Sequence, residues 1–321
     1  MTAKGLTDIP GVLVGHASDY DGLTGCTAIL FGGGAVGGVD IRGSATGTQE
    51  IDLLNPLHLT ERVHALVLAG GSAFGLEAAS GVRRYLEHQG IGYDTGTAKV
   101  PLVPAAILYD LAIGKASARP TRETGEVAAG AATSAAVPEG AVGAGTGATV
   151  GKLLGMDHAM KSGLGTASIE MHGGVVVSAL VVVNALGDVV DPKNGSVVAG
   201  ARISRDSKEF ANSAGLLLRS EGRNPLSKGG NTTLAVVATN ARLNKVGATK
   251  LAQFGSLGVA RTIAPVWTTF DGDVTFAFSC GAADADLNAL GVAAADAVSV
   301  AILRAVRLAP SLGGLPGLAA G

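Results

Sequence analysis

Segment 229–233 combines two glycines, an asparagine and two threonines, and it leads directly into the apolar run 234–238. Cleavage of the peptide bond between Asn231 and Thr232 would give Thr232 a free α-amino group beside its hydroxyl. Such an amine, with a pKa near ~8, can accept the hydroxyl proton close to neutral pH. The segment is therefore a candidate self-made nucleophile. The competing interpretation is an ordinary loop that enters a β-strand.

Lys152 follows the glycine-dense stretch 140–151 in otherwise uncharged surroundings. If it is buried, its ammonium can stabilise a developing oxyanion, and its pKa falls. If it is exposed, it is a solvated loop tip, as most lysines are. The sequence leaves both interpretations open.

Asp271 and Asp273 are separated by one glycine and precede the strand-like run 274–278. Residues two apart in an extended chain share a face, so both carboxylates could point at one hydroxyl or amine. The alternative is a hairpin turn with solvated acids, since Asp-Gly is a common turn dipeptide.

Glycines are also dense in residues 70–75, at a predicted junction between a strand and a helix. Backbone amides at such a turn can bind phosphate, but the spacing does not match Gly-x-Gly-x-x-Gly, and no Lys-Ser or Lys-Thr pair follows. We therefore expect a close-packed turn near a substrate pocket. The six histidines lack metal-ligand spacing, and we expect neither a metal nor an organic cofactor.

Composition narrows the class of protein. Of 321 residues, 47% are hydrophobic and 16% are charged, which favours burial of surface in a homo-oligomer. The net charge of −2 and the lack of basic runs argue against nucleic acid and anionic membrane as partners. Apolar runs such as 175–183 are about half as long as a membrane helix requires. The N-terminus lacks a secretory pattern and the two cysteines lack a redox or metal spacing, so we expect a cytoplasmic protein.

Short apolar runs and helical patterns alternate along the chain and predict the elements that must position these residues. A buried strand over 174–184 would end at Asn184. The rise in charge over 206–230 predicts a mobile surface segment. We expect strands at 12–14, 27–31, 65–69, 232–239 and 274–278, a short apolar element at 105–111, and helices at 76–89, 127–136, 245–255 and 285–306. Strands flanked by helices on both sides predict a layered α/β sandwich.

Several blocks in order, including Gly-Val-Leu-Val-Gly-His at 11–16 and Leu-Ala-Gly-Gly-Ser-Ala-Phe-Gly-Leu-Glu-Ala at 68–78, resemble the DmpA-type peptidases. This family comprises L-aminopeptidase/D-amidases, β-peptidyl aminopeptidases and nylon-oligomer hydrolases. The Asn-Thr-Thr form at 231–233 is most similar to the nylon-oligomer branch, which uses threonine rather than serine. The resemblance implies a four-layer α-β-β-α sandwich of the N-terminal-nucleophile hydrolase type shared with ornithine acetyltransferase.

The resemblance also implies site residues beside Thr232 at five positions: Tyr109, Lys152, Asn184, Asp271 and Asp273. It implies that Lys152 tunes the Thr232 amine and that the two aspartates orient it. By the same resemblance Asn184 and Tyr109 are oxyanion or carbonyl partners. Loops over 156–162 and 202–228 depart from the family pattern, which leaves substrate choice open.

These observations predict a single hydrolase domain over 1–321, cleaved by its own chemistry into chains 1–231 and 232–321. Its substrates would be N-terminal aminoacyl amides or ω-amino-acid oligomers, and the resemblance implies a homotetramer. Two alternatives stay open: an acyltransferase of the ornithine acetyltransferase type, and an uncleaved small-molecule binding protein.

Overall fold

The computed structural model describes residues 5–221 and 230–319. Its strands are β1 Val12–Asp19, β2 Thr24–Ile41, β3 Gly47–Gln49, β4 Val63–Ala69, β5 Tyr93–Asp94, β6 Lys99–Val100, β7 Ala105–Ile107, β8 Thr149–Val150, β9 Met160–Lys161, β10 Leu164–Glu170, β11 Val176–Asn184, β12 Asp188–Val190, β13 Val197–Ala199, β14 Thr232–Ala241, β15 Ile263–Ala264 and β16 Val274–Ala283. Its α-helices are α1 Ala78–His88, α2 Arg122–Gly130, α3 Ser213–Leu218, α4 Lys245–Thr262 and α5 Leu287–Arg307.

The main sheet has nine strands in the order β10-β11-β14-β16-β2-β4-β7-β3, with β1 also paired to β2. Strand β2 is 18 residues long and connects the two halves of this sheet, one on the side of β4 and one on the side of β16. Its first part pairs with β1 and β4, and its second part pairs with β16. A register shift between Leu30 and Ala35 separates the two parts. Such irregularities bend a strand, and here the two halves of the sheet share an interior core.

The side chains on each strand alternate between this interior core and an outer one. On β4, Leu66 and Leu68 enter the interior core, whereas Val67 packs in an outer core with α1 and α2. On β14, Leu234 and Val236 enter the interior core, whereas Val237 packs in the other outer core with α4 and α5. Because successive side chains of a strand point to opposite faces, the strands fill three apolar layers: the interior core and the two outer cores. The resulting α-β-β-α order confirms the predicted sandwich.

Strand β14 is the element on which the candidate site depends. It runs antiparallel to β11, with Asn184 opposite Thr232, and parallel to β16, with Leu234 opposite Val274. Because parallel neighbours begin at the same edge of a sheet, the start of β14 lies beside the segment that precedes β16. A parallel bridge between Asn231 and Asp271 continues the same register three positions earlier.

Helix α5 has 21 residues and is apolar enough, by length and composition, to cross a membrane. It packs instead as a core helix, because 72% of its most apolar window is buried inside the fold. Residues such as Val298 and Ile302 lie in the outer core against β10 and β11.

Two predictions from the sequence need correction. The alanine-rich stretch 127–136 is not one helix, because α2 begins after the Thr121 cap and ends at Gly130. The chain beyond it pairs with β1 instead, where the backbone of Thr133 exchanges hydrogen bonds with that of Val14. Part of the supposed mobile segment 206–230 is also ordered. It contains α3, whose Ser213 is buried and bonded to Asp188. Gly229 and the rest of 222–229 lie outside the described residues.

Candidate active site

Thr232 and Asn184 are opposite each other where β14 begins and β11 ends. Both residues are buried, with 4% of Thr232 and none of Asn184 exposed. The loop-to-strand interpretation of this segment is correct for the backbone, since Thr232 is the first residue of β14. The hydroxyl nevertheless lies in the interior of the protein among functional side chains rather than at its surface.

Lys152 binds Asn184 through its ammonium group. Its Nζ donates to the backbone oxygen of Asn184 at 2.8 Å and to the side-chain Oδ1 at 2.9 Å. The Lys152 residue keeps some exposure, but its ammonium end is enclosed. Burial lowers the pKa of Lys152 to about 7, and the negative charges of Asp271, Asp273 and Asp110 oppose this change. The interpretation of Lys152 as a solvated loop tip is therefore wrong.

Asn184 joins three segments of the chain. Besides Lys152, its Oδ1 accepts from the backbone N–H of Thr149 at 3.1 Å. Its Nδ2 donates to the backbone oxygen of Tyr109 at 3.0 Å. Tyr109 thus takes part through its main chain. The network fixes the side chain of Asn184 directly beside Thr232.

The two aspartates of the acidic pair have different partners. Asp273 accepts at Oδ1 from the backbone N–H of Thr233 at 2.5 Å. Asp271 accepts at Oδ2 from both the backbone N–H and the hydroxyl of Thr268, each at 2.7 Å. Only 2% of Asp271 and 4% of Asp273 are exposed, so the alternative of solvated acids in a hairpin turn is wrong.

Burial also changes the protonation of this pair. It raises the pKa of Asp273 to about 8, with the nearby Asp271 carboxylate adding to the rise, while the Thr233 bonds and Lys152 oppose it. It raises the pKa of Asp271 as well, against the hydrogen bonds from Thr268 and the charge of Lys152. Two carboxylates this close resist losing both protons, so the pair holds a proton near neutral pH.

A second buried charge pair lies behind the site, and sequence reasoning missed it. Asp110, the residue after Tyr109, accepts from the Gly71 N–H at 2.7 Å and from the Thr24 hydroxyl at 2.7 Å. Lys161 is fully buried. Its ammonium donates to the backbone oxygens of Gly145 at 3.1 Å, Ala148 at 2.8 Å and Ser162.

Asp110 and Lys161 each affect the pKa of the other through their opposite charges. Burial lowers the pKa of Lys161 to about 7, against the attraction of Asp110. Burial raises the pKa of Asp110 against its hydrogen bonds and the charge of Lys161. The adjacency of Asp110 to Tyr109 was the only signal in the sequence.

The glycine-rich turn at 70–75 has a structural explanation. A Cβ added at Gly70 would lie 2.0 Å from Oδ2 of Asp110. The turn therefore closes on a buried carboxylate of the protein itself, and the expectation of a close-packed turn agrees with this geometry. Among residues 5–221 and 230–319, no cluster of three or more His, Cys, Asp or Glu side chains could hold a metal ion.

Gly272 lies between the two aspartates, and no pattern in the sequence selected it. Its backbone N–H donates to the backbone oxygen of Asn231 at 2.6 Å. A Cβ added at Gly272 would lie 2.8 Å from Oγ1 of Thr232. The predicted nucleophile and the carbonyl that precedes it are thus both next to this glycine.

Solved structures with the same architecture define the class of fold. The β-aminopeptidase of a Burkholderia species superposes with a TM-score of 0.70 at 23% identity, over 98% of this chain and 91% of the other. The L-aminopeptidase D-Ala-esterase/amidase of Ochrobactrum anthropi, described as a variant of the Ntn hydrolase fold, gives 0.73 at 20% identity, over 98% and 88%. The chain has the N-terminal-nucleophile hydrolase fold.

The chain belongs to peptidase family S58, whose sequence model matches residues 4–319. An uncharacterized aminopeptidase of Mycobacterium leprae is 39% identical over 97% of this chain and 92% of its own length. The 6-aminohexanoate-oligomer endohydrolase of a Kocuria species is 31% identical over 94% of this chain and 85% of its own length. These matches confirm the resemblance to DmpA-type peptidases, and the chain is a hydrolase of amide bonds.

Proposed function

We propose that the chain is a self-processing N-terminal-threonine amide hydrolase, cut between Asn231 and Thr232. The observation that carries the proposal is the position of Thr232. It is buried opposite Asn184, whose backbone and side-chain oxygens both bind the Lys152 ammonium. A hydroxyl, a lysine of near-neutral pKa and an acid pair that holds one proton lie within one buried cluster, and groups of this kind can exchange protons during acyl transfer.

Sheet topology supports a cut at this bond within a single domain over 1–321. Strands β14 and β16 belong to the proposed 232–321 chain, and they lie between β11 and β2 of the proposed 1–231 chain. Cleavage before Thr232 therefore breaks no strand. Hydrogen bonds of β14 with β11, and of β16 with β2, would hold the two products in one sheet.

In catalysis the freed Thr232 amine would accept the proton of its own hydroxyl. The oxygen then attacks the substrate carbonyl, an acyl ester forms, and the leaving amine takes the proton. Water hydrolyses the ester and restores Thr232. Lys152 would lower the pKa of the nearby α-amine by like-charge repulsion, and Asp271 and Asp273 would orient that amine. None of these steps calls for a metal or an organic cofactor.

The substrates proposed are N-terminal aminoacyl amides or ω-amino-acid oligomers, the classes that the relatives' names indicate. Parts of the loops that depart from the family pattern, 156–160 and 202–210, line a cavity of about 1290 Å³ together with the C-terminal segment 311–318. Arg202 and Phe210 contribute a cation and an aromatic ring to its wall. None of the six proposed site residues lines this cavity, so it is a separate feature and the choice of substrate rests on the relatives.

We also propose a cytoplasmic homotetramer with no nucleic-acid or membrane partner. Its support is the low charge content and a set of large apolar side chains that are more than half exposed in the single chain, which subunit contacts would cover. These residues are Tyr20, Leu57, Leu59, Phe74, Val127, Ile203, Leu218, Val246 and Val292.

Mass spectrometry and N-terminal sequencing of purified protein test the proposal directly. Wild-type protein should give two chains, the second beginning Thr-Thr-Leu. Thr232→Ser should still be cut, because serine keeps the hydroxyl, whereas the isosteric Thr232→Val should stay whole and lose at least ~10³-fold in turnover. Active protein that remains a single intact chain would contradict the proposal.

A panel of aminoacyl p-nitroanilides and 6-aminohexanoate oligomers, with and without amine acceptors, then distinguishes hydrolysis from acyl transfer. Predominant transfer to the added amine would favour the acyltransferase alternative. An intact chain that binds these amides without turning them over would favour the binding protein.

A further inference from the structure

The carbonyl of Asn231 has a short, direct hydrogen bond to a main-chain amide. The donor is the N–H of Gly272, at 2.6 Å from the carbonyl oxygen. Backbone N–H···O bonds are usually ~2.9 to 3.0 Å long, so this contact is shorter than the usual bond. The oxygen that it binds belongs to the peptide bond that self-cleavage would break.

We propose that the backbone N–H of Gly272 is the oxyanion donor of self-cleavage. This inference rests on the proposed function and adds a group that neither the sequence nor the family match assigns. Attack by Oγ1 of Thr232 forms a bond to the Asn231 carbonyl carbon and moves an electron pair onto the carbonyl oxygen. The Gly272 amide already points at that oxygen, and preorganised donors of this kind stabilise tetrahedral intermediates.

The rest of the step balances within the same two residues. The hydroxyl proton of Thr232 is transferred to its own departing nitrogen, the peptide C–N bond breaks, and the oxyanion collapses to an ester. Water then hydrolyses the ester and releases the Asn231 carboxylate and a free Thr232. No oxidant, reductant or metal enters this sequence.

The segment that carries the donor is held on both sides, as a preorganised donor requires. The backbone oxygen of Asp271 accepts from the Ala45 N–H at 2.9 Å, and that of Asp273 accepts from the Gly43 N–H at 2.9 Å. The Asp271 side chain is further held by Thr268. The Gly272 amide is therefore fixed before any charge develops.

Asn184, the residue that the resemblance implies as an oxyanion partner, is engaged elsewhere in the uncut chain. One of its Nδ2 donors binds the Tyr109 carbonyl, and its Oδ1 accepts from Lys152. The scissile carbonyl instead has its contact with Gly272. The side chain at 272 must also be absent for the nucleophile to fit, because a Cβ there would lie 2.8 Å from Thr232 Oγ1 and 2.7 Å from the Ala45 oxygen.

An amide-to-ester replacement removes the Gly272 N–H, and it also makes the Asp271 carbonyl, which accepts from the Ala45 N–H, a weaker acceptor. Glycolic acid is incorporated in place of Gly272 by cell-free translation with a chemically charged suppressor tRNA, which leaves every side chain unchanged. We expect the rate of 231–232 cleavage, followed by mass spectrometry, to fall about 10²-fold, the cost of deleting one oxyanion donor.

The matched control is glycolic acid in place of Gly43, whose N–H binds the Asp273 oxygen in the same cluster of main-chain bonds. It loosens the segment without touching the Asn231 carbonyl, and it should slow cleavage less than tenfold. A Gly272 ester that cleaves within about twofold of the all-amide chain, or two esters with equal losses, would overturn the inference. Absence of cleavage in the all-amide chain would overturn the proposed function itself, which separates the two failures.

Discussion

The Lys152 ammonium donates to both the backbone oxygen and the side-chain oxygen of Asn184, at 2.8 and 2.9 Å. Asn184 is also the ladder partner of Thr232. A single residue therefore separates the buried cation from the proposed nucleophile. Loss of the lysine would leave Asn184 Oδ1 with only its bonds from Thr149, and it would remove the cation whose charge acts on Asp271 and Asp273.

Lys152→Met keeps the length of the side chain and removes its charge. We expect both self-cleavage and turnover to fall by ~10²-fold or more, because loss of one positioned polar group at a reacting centre typically costs this much. Cleavage half-times from gel densitometry and turnover on a p-nitroanilide measure the two effects. The exposed Lys250, whose ammonium donates to Gln253 and lies over the ring of Phe254, provides the control Lys250→Met. Equal rates in the two variants would remove Lys152 from the mechanism.

The raised pKa of Asp273 predicts how the free energy of unfolding depends on pH. Its pKa is raised from 3.8 to about 8 by burial and by Asp271, so the folded chain holds a proton that the unfolded chain loses above its lower pKa. This contribution is present below pH ~4 and is lost as the pH rises toward 8. Asp273→Asn removes it, so the variant should lose less stability than its parent between pH 5 and pH 8.

Lys152 acts in a different pH window and can be separated from Asp273. Its pKa is lowered to about 7, so the folded chain releases a proton that the unfolded chain keeps, and stability rises with pH above 7. Urea unfolding of Lys152→Met and of Asp273→Asn should be measured in the Thr232→Val background, which keeps the chain uncut. An unchanged pH profile in Asp273→Asn would contradict the buried, protonated acid.

Much of the site was visible in the sequence because its signals are local. The run after Asn231 predicted β14, and the spacing of Asp271 and Asp273 predicted two acids on one face. Lys152 is the one charge in an uncharged stretch, but that pattern left its burial open, and the family resemblance selected it as a site residue together with Asn184 and Tyr109.

Asp110, Lys161 and Gly272 were missed because their importance depends on residues distant in sequence. Asp110 receives its hydrogen bonds from Thr24 and Gly71, on β2 and the turn after β4. Gly272 is defined by the Asn231 carbonyl, 41 positions before it. The end of α2 was misplaced for a similar reason, since composition does not reveal that Thr133 pairs with Val14.

The pair Asp110 and Lys161 should behave as one unit in stability. Lys161→Met removes the ammonium from three buried carbonyl oxygens and from the neighbourhood of the buried Asp110 carboxyl. The oxygens of Gly145 and Ala148 keep the backbone N–H groups of Ala148 and Ser162 as donors, so the loss should be about 1–3 kcal/mol. In the double variant with Asp110→Asn, the loss should be smaller than the sum of the two single losses, because neither partner is left alone. Denaturant unfolding in the Thr232→Val background measures the coupling, with the exposed Lys115→Met as control. Strict additivity would contradict an electrostatic link between the two residues.

Gly272→Ala tests the space around the nucleophile with one methyl group. A Cβ at this position would lie 2.8 Å from Thr232 Oγ1, so the hydroxyl or the loop must move, and cleavage should slow by at least ~10-fold. Gly33→Ala is the matched control, because a Cβ added there meets nothing within 4 Å. Normal cleavage in Gly272→Ala would show that the hydroxyl does not need the position it occupies beside this glycine.

The interleaved sheet predicts that the two products of cleavage do not separate. Strands β14 and β16 would come from the 232–321 chain, yet each pairs with a strand of the 1–231 chain, and α4 and α5 bury their apolar faces on the same sheet. Processed protein should elute as one species in size-exclusion chromatography and unfold in one cooperative transition. An uncut Thr232→Val chain should elute at the same volume. Cleavage before Thr232 lies at the start of β14, so the hydrogen bonds between β11 and the rest of β14 are kept. Separation of the 232–321 chain without denaturant would contradict the shared core, because those strands would then have to leave the centre of the sheet.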